Sequence, residues 1–119
     1  MNKITQTTIE ISGISFLVPF PNVRQVMRIE AMKMTFSNGL YPQMVNTGVK
    51  SMEYNLDLID AISYFMVLIP EFAKKLNVDD ISNLSIEDVR PIIIAYKKEF
   101  LPWFQPLMEA AQKLPDISE

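Results

Sequence analysis

The sequence has neither histidine nor cysteine among its 119 residues, and only three glycines. Without cysteine there is no disulfide, no thiol nucleophile and no thiolate-bound zinc or iron–sulfur centre. Such a chain needs no oxidising compartment, so it is expected to be made in the cytosol. Without histidine the commonest general base and the commonest transition-metal ligand are missing. Gly13, Gly39 and Gly48 stand far apart. None belongs to a phosphate-cradling loop, a dinucleotide turn or a nucleophile elbow. These absences predict a protein that is not an enzyme, with no catalytic residue, no cofactor, no metal and no small-molecule substrate.

Long apolar runs are also missing. The greasiest stretch, Ala61–Ile69, is interrupted by Ser63, preceded by Asp57 and Asp60 and ended by Pro70. It falls short of the roughly 20 residues that cross a bilayer, so no membrane span is expected. The opening Met1-Asn2-Lys3-Ile4-Thr5 lacks the apolar core of a signal peptide.

What the chain does have is a hydrophobic content of 49% against 21% charged residues. That is enough to build a core and too much for a disordered chain. Its length suits one domain. Eight methionines are present; this flexible side chain fills cores and recurs on adaptable binding surfaces. Residues 1–50 carry five basic and two acidic side chains, net +3, and residues 51–119 carry six and twelve, net −6. This polarity could favour head-to-tail stacking of subunits, or carry no role at all. The overall charge of −3 argues against nucleic acid as a partner.

Periodicity predicts an α+β fold, an N-terminal β-hairpin (1–21) followed by a bundle of four to five α-helices (22–114) and a polar tail (115–119). Ile9, Ile11, Ile14, Phe16 and Val18 alternate with polar residues around Ser12-Gly13, which reads as Thr7–Ile11 paired with Ser15–Pro19. Asn22 is an expected N-cap. After it Val23, Val26, Met27, Ile29 and Met34 keep helical rhythm, with Arg24, Arg28 and Lys33 on the wetter side, until Ser37-Asn38-Gly39. A central helix is expected over about Val49–Ile69, with a short continuation over Glu71–Asn77. Val78–Ser85 reads as a loop or short turn. A further helix opens near Ser85 or afresh at Pro91, and Pro102 is expected to end or kink it. A last helix then runs from Trp103 to about Lys113.

Three groups of side chains are candidates for function. Glu53, Asp57 and Asp60 share one helix stripe and could hold a hard cation, or simply form a solvated edge. Arg24, Arg28 and Lys33 could touch phosphate, as in a small nucleic-acid-binding regulator, or an acidic protein. Phe36, Leu40 and Tyr41 around the Gly39 turn, and Trp103 and Phe104 between two prolines, are large residues that are hard to bury in so small a domain, although Trp103 and Phe104 could instead fold back and cap the central helix. Such residues are enriched where proteins meet. The expected partner-binding set is Phe36, Leu40, Tyr41, Trp103 and Phe104, rimmed by Arg24 and Arg28, with the hairpin edge as a further docking place.

The strand–turn–strand Ile9-Glu10-Ile11-Ser12-Gly13-Ile14-Ser15-Phe16-Leu17-Val18, running through Pro19-Phe20-Pro21-Asn22 into helices, resembles small bacteriophage morphogenesis proteins, notably tail assembly chaperones. Phe20–Gln25, Gly39-Leu40-Tyr41 and Leu56–Ala61 are similar in texture to parts of small phage virion proteins. The resemblance implies a virion structural or assembly protein of the tail or head–tail region, or alternatively a chaperone absent from the mature virion. Its partners would be other phage structural proteins or copies of itself.

Overall fold

The computed structural model describes residues 6–76 and 83–114, apart from the side chain of Ser51. The expected turn over 78–82, Asn77 and the tail 115–119 lie outside the described residues.

The fold is α+β. Strands β1 (Gln6–Ile11) and β2 (Ile14–Pro19) pair antiparallel, with Ile9 opposite Phe16 and Ile11 opposite Ile14. Ser12 and Gly13 both have positive φ, 53° and 80°, the backbone of a type I′ turn, whose twist matches that of the strands it joins. Alternation then decides the faces. Ile9, Ile11, Phe16 and Val18 are buried, while Thr8, Glu10, Ser15 and Leu17 face out. The hairpin thus pairs within the chain, and it lies on helices instead of joining a third strand among the described residues.

Helix α1 (Val23–Phe36) starts at Asn22. The Asn22 side chain accepts from the Gln25 amide at 2.8 Å, and the Gln25 side chain accepts from the Asn22 amide at 3.0 Å, a complete capping box. It ends in a Schellman turn. Asn38, at φ 55°, takes the left-handed position, and the Gly39 amide reaches back to the Met34 carbonyl. Helix α2 (Tyr41–Thr47) and the long α3 (Lys50–Leu68) follow, then the short α4 (Phe72–Lys75) after Pro70. Both α1 and α2 pack on α3.

Helix α5 (Ile86–Ala95) opens at Ser85, whose hydroxyl accepts from the Asp88 amide; Pro91 lies inside it and does not start it. Pro102, expected to end or kink this helix, does not end the helical backbone. Tyr96–Phe100 forms a π-helical turn and α6 (Leu101–Gln112) continues from it, with Ala95, Tyr96, Phe100 and Leu101 all in the right-handed helical region. The Leu101 amide bonds the Tyr96 carbonyl, five residues back. Proline cannot donate to the residue four back and its ring crowds that carbonyl. The extra residue of the π turn widens the helix at the place where Pro102 follows.

That turn also sets the core. Tyr96, Phe100 and Phe104 stack in sequence, the last two with ring centroids 4.9 Å apart. Phe65 and Tyr64 of α3 meet them edge-on or tilted. Phe16 and Phe72 extend the cluster under the hairpin. Trp103, at the margin, lies edge-on to Phe20.

Candidate protein-binding surface

Helix α1 carries two apolar stripes on opposite sides. Ile29 is fully buried, with Met32 and Phe36 packed beside it against the core. The other stripe, Val23, Met27, Ala31 and Met34 at three- and four-residue steps, faces outward. Val23 is 77% exposed and Met27 68%. Arg24 and Arg28, also exposed, run along one flank and together with Val23, Met27 and Ala31 line a shallow surface groove. Glu30 stands on the other flank. Beyond the helix, Leu40 and Val45 are half exposed.

This corrects the expected phase of the helix. Lys33 is not on the wet side: it is 8% exposed, while Val23, Met27 and Met34 are solvated. The cause is a polar pocket between α1, α2 and α3. Lys33 Nζ lies 3.1 Å from Glu30 Oε2 and 3.8 Å from Asp60 Oδ1, and above the rings of Tyr64 and Tyr41 at 5.0 and 5.3 Å. The Tyr41 hydroxyl donates to the same Asp60 oxygen at 2.6 Å. Burial alone would lower the pKa of Lys33, but Coulombic attraction to the Tyr64 phenol oxygen, Asp60 and Glu30, with the hydrogen bond to Glu30, outweighs it and holds the ammonium above its ordinary value. Burial pushes the Asp60 carboxyl up, and the hydroxyl of Tyr41 and the charge of Lys33 only partly restrain it. The Tyr41, Tyr64 and Tyr96 hydroxyls are all pushed up, chiefly by burial. A lysine held protonated in this way is a poor nucleophile. The cluster ties α1 and α2 to α3 and so fixes which stripe of α1 faces outward.

The other expected residues are distributed unevenly. Phe104 is a correction: it is 4% exposed, stacked on Phe100 beside Tyr64, and no partner can reach it while the domain is folded. Helix α6 places it one turn after Phe100, on the same inward face. Trp103 is half buried against Phe20 and Phe100, with its indole Nε1 buried and unpaired among the described residues. Phe36 is half buried and lines a cleft, and Tyr41 is half buried on Asp60. Leu40, Arg24 and Arg28 remain accessible. The expected phosphate-facing trio loses Lys33, which leaves two arginines. Among the α3 carboxylates, Asp60 is engaged by Tyr41 and Lys33, Asp57 pairs with Lys97 at 3.1 Å, and Glu53 is exposed. Among the described residues no three acidic side chains gather where they could hold a metal ion. No helix of the described residues is long and apolar enough to cross a membrane.

Val23, Met27, Ala31 and Met34 were missed as surface because their rhythm equally suits a core. The signal lay in the helical wheel. Taking Ile29, Met32 and Phe36 as one face puts Val23, Met27 and Met34 roughly half a turn away. A helix buried on one side cannot hide both.

The chain matches no known protein-family model, no curated protein and no solved structure.

Proposed function

We propose that this chain is a non-enzymatic assembly protein of a bacteriophage, acting through protein–protein contacts in the tail or head–tail region. The observation that carries the binding role is the outward stripe of α1. Three large apolar side chains are held in water, in a helix whose orientation is fixed from behind by the Lys33–Asp60–Tyr41 cluster. Flexible methionines flanked by arginines suit a contact with another protein surface. The phage assignment rests on the order of hairpin, proline turn and helices described above. The lack of histidine and cysteine, and the engagement of Asp57 and Asp60 in structural pairs, support a role without catalysis.

Mass spectrometry of purified particles from cells carrying the gene tests this. Detection of the chain at a fixed stoichiometry to the tail proteins is expected. A chain missing from particles but copurifying from lysate with a single tail component would replace this reading with the chaperone. A chain found in neither place would overturn the assembly role.

A further inference from the structure

A second apolar surface on the molecule is bordered by charge opposite to that beside the α1 stripe. Phe36, Leu58, Ile62, Leu84, Ile86 and Val89 line an apolar cleft of about 270 Å³ between α1, α3 and the start of α5. Ile86, on its lip, is 68% exposed. The next two residues, Glu87 and Asp88, are exposed carboxylates of the first turn of α5 and border an adjoining groove with Ile14 and Leu76. The lysine of that groove, Lys75, lies over the ring of Phe16 at 5.6 Å. Among the described residues Glu87 and Asp88 have no ion-pair partner, and neither do Arg24 and Arg28.

We propose that α1 of one copy docks Val23 and Met27 into the Phe36–Ile86 cleft of a second copy, with Arg24 and Arg28 meeting Glu87 and Asp88 across the contact. The inference rests on the binding role assigned to the α1 stripe and names its partner as the same chain. Charge selects the pairing. An antiparallel α1-on-α1 contact would set arginines against arginines, whereas α1 on α5 joins the basic first fifty residues, net +3, to the acidic remainder, net −6. The contact uses two different surfaces, so it is head-to-tail and propagates into a ring or a filament. Complementary apolar patches rimmed by opposite charges also give a salt-dependent association, because rim pairs are screened.

Light-scattering mass of the full chain, measured up to concentrations on the order of 100 µM, tests this with two charge-reversed variants. The wild type should grow in mass with concentration, more at low salt than at high. The Arg24→Glu/Arg28→Glu variant and the Glu87→Lys/Asp88→Lys variant should each stay monomeric. Their equimolar mixture should regain the association, since every contact in it again joins opposite charges. All four positions are exposed, and an unchanged circular dichroism spectrum confirms the fold. The neutral Glu87→Gln/Asp88→Asn variant, which puts no lysine at the helix N-terminus, should weaken association at least tenfold. A wild type that stays monomeric throughout overturns the proposal and leaves the particle measurement to decide the binding role. A Glu87→Lys/Asp88→Lys variant that associates like the wild type overturns it too.

Discussion

Lys33 and its two arginine neighbours along α1 show how far side chains of one charge differ once the fold is set. Arg24 and Arg28 are solvated, while Lys33 is enclosed by Glu30, Asp60 and two tyrosine rings. Removing one partner from a buried pair strands the other. Asp60 keeps a side-chain exposure of 20%, and Tyr41 remains bonded to it, which softens the loss. Lys33→Met should therefore lower unfolding free energy by about 1–3 kcal/mol. Arg24→Ala or Arg28→Ala should each stay within about 0.5 kcal/mol of wild type. Urea unfolding of the three variants checks the contrast. The sequence reading grouped these three cations because spacing alone cannot reveal that α3 and α2 supply a carboxylate and aromatic rings for one of them.

At the scale of elements, local chemistry carried most of the information. Ser12-Gly13 specified the hairpin turn, Asn22 and Ser85 specified two helix starts, and Ser37-Asn38-Gly39 stopped α1. Each of these acts through its own backbone neighbours, so it is legible without the fold. Asn22→Ala removes the side-chain half of a complete capping box and should cost about 1 kcal/mol, read as a lower urea midpoint with an unchanged slope. Pro102 acts through the fold: its effect depends on whether the preceding turn can widen, and that is decided by the stacking of Tyr96, Phe100 and Phe104 against α3. The burial of Phe104 follows from that same stacking. The outward stripe of α1 belongs to this scale as well: two apolar faces were visible on the wheel, but which one α3 covers follows from packing.

Across the whole molecule the titratable groups of the core act together. Lys33, Tyr41, Tyr64 and Tyr96 all hold their protons more tightly folded than unfolded. Their contribution is complete below their unfolded values, about 10 to 10.5, and is lost as pH rises through the folded ones. Stability should thus fall as pH rises above about 10. Asp60 is also raised, so its carboxylate opposes folding at neutral pH, and that opposition is relieved as pH falls through its folded value. Urea midpoints measured across the alkaline range, with Tyr96→Phe as the control that shallows the fall, check the sign.

A rivet of buried charge fixes α1 and leaves its apolar stripe in water, the surface that we propose another protein binds. The most direct measurement is the copy number of Met27→Asp in particles assembled from it, quantified against wild type. Met27 is exposed, so the variant should keep the wild-type urea midpoint while its copy number drops at least tenfold. Incorporation at the wild-type level would contradict the account.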